Sequence, residues 1–126
     1  VYMQNRHELQ IESPKGKNIA DPYAWKIGPH GIAAVCMEHV PQGNAWRPNG
    51  EWHSFHFIFK AAEWEGEKVK EPARLTLWWN GLKVHDRVTV KHANGGVKNG
   101  PSDQPLKLQE HGQDVRFRNI WIKEIK

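Results

Sequence analysis

"ARLTLWWNGLKVHDRVTV", residues 73–90, sets two runs of strand-forming residues on either side of an Asn-Gly pair. Asn80-Gly81 is the short-range signature of a tight hairpin, because a two-residue turn that matches strand twist needs left-handed backbone at its centre. Residues 73–79 and 83–90 are therefore expected to be paired antiparallel strands. Working outward, "EWHSFHFIFK" (51–60) alternates, with Phe55, Phe57 and Phe59 on one face and Trp52, Ser54, His56 and Ile58 on the other. That is the period of a strand with one side in a core.

The chain's ends read the same way. "VYMQNRHELQI" (1–11) puts Met3, Leu9 and Ile11 on one side and Tyr2, Gln4, Arg6, Glu8 and Gln10 on the other. In "PLKLQEHG" (105–112), Leu106 and Leu108 oppose Lys107, Gln109 and His111. Two final strands are expected beyond the Gly- and Asn-rich stretch 92–104, and the two polar rows would make one continuous surface if their strands share a sheet. Between these segments lie a Pro-, Gly- and Lys-rich loop from about Ser13 to Gly31, a brief apolar segment at 31–40 and the turn chemistry of "PQGNAWRPNG" (41–50). Strands at short spacing with no convincing helical period imply an all-β protein, a β-sandwich or jelly roll. Without repeats or a dividing linker, 1–126 is expected to be a single β-sandwich domain.

Composition narrows the function classes. Of 126 residues, 25% are charged and 38% hydrophobic, a globular balance. No apolar run is long enough to span a bilayer. The net charge of +4 is carried by scattered Lys and Arg with acids between them, not by a basic stripe, so a nucleic-acid partner is not expected. The single cysteine, Cys36, rules out an internal disulfide and reads as a small buried hydrophobe. Seven Trp is an unusual number. Four or so should be structural, and one to three should line a surface, where a flat ring suits the apolar face of a sugar. Glu63, Glu65, Glu67 and Glu71 read as a solvated connection. His53 and His56 lie three apart, on opposite faces of a strand, and are poor partners for one ion. Eight His leave a divalent metal open, but no close-spaced ligand motif identifies one and no cofactor is expected.

Four stretches together resemble a known family. "GPSDQPLKLQEHGQDVRFRNIWIKEI" looks like the C-terminal signature of the 3-keto-disaccharide hydrolase domain family, with its Leu-Gln-x-His-Gly turn and Arg-Asn-Ile strand. "VYMQNRHELQI" resembles its strand ending in Glu-x-Gln-Ile, "NAWRPNGEWHSFHFIFKA" its Gly-Glu-Trp segment, and "PARLTLWWNGLKVHD" its Asn-Gly hairpin. The resemblance implies a concanavalin-like jelly roll with a carbohydrate site on its concave face. The implied activity is cleavage of a glycosidic bond in a sugar already oxidised at C3. The motif positions carried over are Glu8, Gln10, Gln109, His111 and Arg118; Tyr2 and Arg6 join them by strand alternation. The family domain normally has further strands before the equivalent of Val1. Their lack would leave sheet edges open to pairing, so a homo-oligomer is expected. The family's tendency towards export implies a periplasmic or extracellular location.

The chemistry implied has a physical logic. A C3 ketone acidifies the C2 proton, so a base can remove it, the C1 group leaves, and water adds back. His111 and Glu8 are the expected acid and base, with Arg118 stabilising an enolate. Tyr2, Arg6, Gln10 and Gln109 would bind the substrate. Plainer readings stand beside these: His111 shaping a turn before Gly112, Glu8 and Arg118 as a surface ion pair, and Arg116 and Arg118 as a solvated face. Two other functions also stay open. One is a non-catalytic carbohydrate-binding module, the other a self-assembling structural subunit with a vestigial sugar site.

Overall fold

The computed structural model describes residues 1–11, 31–110, 112 and 114–125. Among them there is no helix, and the fold is all-β as expected. Seven strands follow in order: β1 (Tyr2–Met3), β2 (His7–Glu8), β3 (Phe55–Lys60), β4 (Glu63–Glu65), β5 (Lys68–Glu71), β6 (Ala73–Trp79) and β7 (Leu82–Val90).

The largest sheet has the order β3-β6-β7, antiparallel throughout. Asn80 and Gly81 sit at φ 48° and 84° and close the β6–β7 hairpin, the left-handed pair that a type I′ turn requires. Asn80 also fastens the turn to its surroundings. Its Oδ1 accepts from the Ser54 N–H at 2.8 Å, and its Nδ2 donates to the Ala45 carbonyl at 2.6 Å. The β6–β7 register shifts twice around Leu75–Trp78, and the irregularity is stabilised where Arg87, at φ 49°, donates its N–H to Thr76 Oγ1.

One face of this sheet forms the core. Leu75, Leu77, Trp79, Val84 and Val90 are essentially buried, with Phe55, Phe57 and Phe59 packed against them. Opposite lie Met3, Leu9, Ile32, Ala33 and Val35. The first part of the short apolar segment, 31–36, is thus core, laid against β2 through backbone bonds from Gln10 N to Ala34 O and from Cys36 N to Glu8 O, whereas Met37 and Val40 are exposed. Cys36 is buried, as a small hydrophobe should be. Of the described Trp residues, Trp79 is buried, Trp46, Trp64 and Trp78 are half-buried, and Trp52 and Trp121 are exposed.

Three expectations need correction. Residues 1–11 are not one strand: β1 and β2 are a hairpin closed by Gln4 and Asn5, both left-handed at φ 50° and 49°. Alternation in sequence is blind to a tight turn placed in its middle, and the turn is stabilised from outside the segment. The N–H groups of Asn94 and Gly95 donate to the Arg6 carbonyl, and that of Val97 to the Asn5 carbonyl. Gly95 is required there, because a Cβ would fall 2.1 Å from the Asn5 oxygen. Secondly, the expected final strands are absent among the described residues. Lys107 makes an isolated bridge to Tyr2, but nothing in 114–125 joins a ladder, and a strand exists only where a partner supplies hydrogen bonds. Leu106 packs on the core while Leu108 is exposed, so they do not share a buried face. Thirdly, the acidic connection is itself a hairpin, β4–β5, exposed along most of its length. The loop expected at 13–31 lies outside the described residues except for Gly31.

Candidate active site

The N-terminal hairpin decides the geometry of the site. Folding the segment back on itself puts Tyr2 directly opposite Glu8 in the β1–β2 register, where a single strand would have kept them six residues apart. Lys107 then pairs with Tyr2 on both sides, Tyr2 N to Lys107 O at 2.8 Å and Lys107 N to Tyr2 O at 3.0 Å. That bridge brings Gln109 to the Tyr2 hydroxyl. The phenol lies beside the Glu8 carboxylate and the Gln109 amide, and both act on its ionisation. From the other side, Asn94 Nδ2 donates to Glu8 Oε2.

The result is a carboxylate, a phenol and two amides in contact, with Glu8 and Tyr2 both buried. Burial holds the Tyr2 hydroxyl above its usual range, and the neighbouring Glu8 charge pushes it the same way. The phenol therefore stays protonated and acts as a hydrogen-bond donor. Asn94 Oδ1 is buried without a donor of its own.

The other expected site residues go elsewhere. Arg6 is buried, but its guanidinium grips the loop that clamps the hairpin: Nε donates to Lys98 O at 2.9 Å and Nη2 to Ser102 Oγ at 2.8 Å. Its side chain fixes the turn and is not presented as part of an outer polar face. Gln10 is buried, and its backbone bridges Ala33 and Ala34. Arg118 lies over the Trp52 ring, 3.8 Å from its centre. Among the described residues it makes no ion pair with Glu8, so neither the shared site nor the surface pair is seen; the ion pairs there are Lys60–Glu63 and Lys83–Asp86. His111 lies outside the described residues. Thus Tyr2, Glu8 and Gln109 come together, while Arg6 and Arg118 do not join them.

Asn94 was missed by reading the sequence. Its signal was Asn94-Gly95-Gly96, a Gly pair marking close backbone approach, but only the fold says what approaches. The histidines also take structural posts. His7 Nδ1 bonds to His92 O, His39 Nε2 to Thr89 O, and His85 Nε2 to Ala33 O. His53 receives Trp79 Nε1 on Nδ1 and faces inward, whereas His56 meets Trp78 on the outer face, the opposite orientations that their spacing implied. Burial lowers the pKa of His7, His53 and His85. No group of three or more His, Cys, Asp or Glu suited to a metal occurs among the described residues, and the donors around Glu8 are one carboxylate, one phenol and neutral amides. No helix among them is long and apolar enough to cross a membrane.

Comparison with known proteins agrees with this architecture. No curated protein matches the chain. Among solved structures, a candidate glycosyl hydrolase from Parabacteroides distasonis superposes with a TM-score of 0.59 at 15% identity, over 82% of this chain. At that identity the likeness establishes a shared fold, the jelly-roll type of all-β sandwich. The present chain corresponds to 41% of that protein's length. The sequence profile that matches is continuous over residues 2–123, which include Tyr2, Glu8, Asn94 and Gln109, and it shows that the chain belongs to the 3-keto-alpha-glucoside-1,2-lyase-like domain family.

Proposed function

We propose that this carbohydrate-active domain cleaves the glycosidic bond of 3-keto glycosides by elimination and rehydration. The observation that carries the reading is the contact of Glu8 with the Tyr2 hydroxyl and Asn94, with Gln109 on the same phenol, in a chain of this family. Glu8 takes the C2 proton, which the C3 ketone acidifies. The Tyr2 hydroxyl, kept protonated by burial and by Glu8, donates to the C3 oxygen as it gains enolate charge. Collapse of the enolate expels the C1 oxygen, which takes a proton from His111 and departs as the alcohol. Water then adds at C1, giving up its proton to His111, and Glu8 returns its proton to C2, which restores both residues and yields the free 3-keto sugar. Gln109 orients the phenol, and Asn94 Oδ1 is the acceptor left for a substrate hydroxyl.

Release of free sugar from a 3-keto-disaccharide tests this. Glu8→Gln and His111→Ala are each expected to lower turnover by about 10²-fold or more, the scale of a general acid or base. Tyr2→Phe should cut kcat while leaving KM nearly unchanged, because its bond to the oxygen strengthens only as charge develops. Full turnover in Glu8→Gln would remove the carboxylate from the mechanism.

A further inference from the structure

The side of the β3-β6-β7 sheet turned away from the core carries a second aromatic group. His56 and Trp78 are cross-strand partners there, in edge contact at 5.2 Å. Trp121, from the C-terminal segment, meets the same His56 ring edge-on at 6.1 Å and leaves 73% of its surface in water. Three residues earlier, the Arg118 guanidinium lies over the half-open Trp52 indole, 3.8 Å from its centre. Segment 118–121 thus lays one exposed indole and one guanidinium onto a platform built by 52–56. The core of Leu75, Leu77, Trp79, Met3 and Leu9 separates this face from the Glu8 cluster.

We propose that this face is a second carbohydrate-binding surface, with Trp121 as the stacking ring and Arg118 and His56 as donors to the sugar hydroxyls. The ligand class follows from the pairing of groups. A pyranose has an apolar C–H face, which an exposed indole covers, and a rim of hydroxyls, which needs donors at the edge of that ring. Arg118 supplies them. Its guanidinium is held in place by the Trp52 π-face, and among the described residues none of its five N–H groups is hydrogen-bonded. Among the described residues His56 makes ring contacts and no hydrogen bond, which leaves its ring nitrogens for a ligand. A purely apolar partner would leave those donors unsatisfied on burial, and Asp86, which reaches this face beside Trp78, is already paired with Lys83, the cross-strand neighbour of that indole. Ile120 and Ile122 flank the ring and are exposed, so a second copy of the chain is the competing occupant that the test must separate.

The probes are cellohexaose and maltoheptaose, titrated into the wild type, Trp121→Ala, Arg118→Gln and Glu8→Gln and followed by the indole N–H resonances. Trp121 is exposed enough for its replacement to leave the fold intact, which near-ultraviolet circular dichroism checks. At least one glucan is expected to bind the wild type and Glu8→Gln equally, with affinity falling at least tenfold in Trp121→Ala and several-fold in Arg118→Gln. Turnover of a 3-keto-disaccharide by Trp121→Ala should be unchanged, which keeps this surface distinct from the chemical site. The proposal is overturned if neither glucan binds the wild type at millimolar concentration, or if Trp121→Ala binds as well as wild type. It is also overturned if Glu8→Gln alone abolishes binding, or if the protein self-associates through this face and Trp121→Ala makes it monomeric.

Discussion

Lowering the pH from 7.5 to 5.5 should destabilise the fold through its buried histidines, well before most carboxylates titrate. His7 and His85 are each 1% exposed, and each ties a ring nitrogen to a backbone carbonyl of another segment, His92 and Ala33 respectively. His85 Nδ1 has no partner, so protonation there would bury a charged N–H facing no acceptor. His53 accepts the Trp79 indole N–H on Nδ1, and a proton on that atom would break the bond. Burial lowers the folded-state pKa of all three below the ordinary value of 6.5. As pH falls through 6.5 the unfolded chain therefore takes up protons that the native state refuses. The stability is fully present above pH 6.5 and is lost progressively below it, down to the folded-state pKa. The linkage relation caps the loss at about 1.4 kcal/mol per pH unit for each group that stays neutral in the native state. His7 and His85, the two most deeply buried of the three, contribute most of the loss, and half-buried His53 adds less. Urea unfolding at pH 7.5, 6.5 and 5.5, followed by tryptophan fluorescence, to which buried Trp79 contributes, reads the slope. His7→Gln/His85→Gln keeps a donor at both positions but cannot titrate, and should remove most of it. Equal wild-type stability at 7.5 and 5.5, or an undiminished slope in the double variant, would refute the reasoning.

Other consequences concern single contacts. Gly95→Ala puts a methyl group against the Asn5 carbonyl, a backbone atom that cannot turn aside; a loss of about 3 kcal/mol is expected, with faster amide exchange in residues 4–6. Asn80→Ala removes the side-chain hydrogen bonds to Ser54, Ala45 and His53 and replaces a residue that tolerates φ 48° with one that does not, costing roughly 3 kcal/mol in denaturant unfolding, while Asn80→Gly should recover the backbone part. Leu77→Ala in the sealed core should cost about 3 kcal/mol and the exposed Leu108→Ala under about 1 kcal/mol, read from the same melts. Arg6→Met keeps the stem but loses the grip on Lys98 and Ser102, and protease cleavage within 94–102 should accelerate.

The sequence by itself determined what short-range rules can determine. Asn80-Gly81 specified its hairpin because left-handed backbone at two adjacent positions is a local requirement, met by those two residues alone. The Phe55, Phe57, Phe59 alternation specified a core face because a strand's period acts over neighbouring residues. The family resemblance named Glu8 and Gln109 as belonging together without saying how they meet. Only the tertiary structure decided that residues 1–11 fold back on themselves, since the carbonyls of their turn are held by N–H groups some ninety residues away. Arg6, marked by alternation as a surface residue, became the buried hook for that same loop. The 114–125 segment has strand-like residues but no ladder among the described residues, because β-structure is a property of two segments and one cannot make it alone. The Tyr2–Glu8–Asn94–Gln109 contact inherits all of this: its residue types are written locally, and its geometry is supplied by partners distant in the chain.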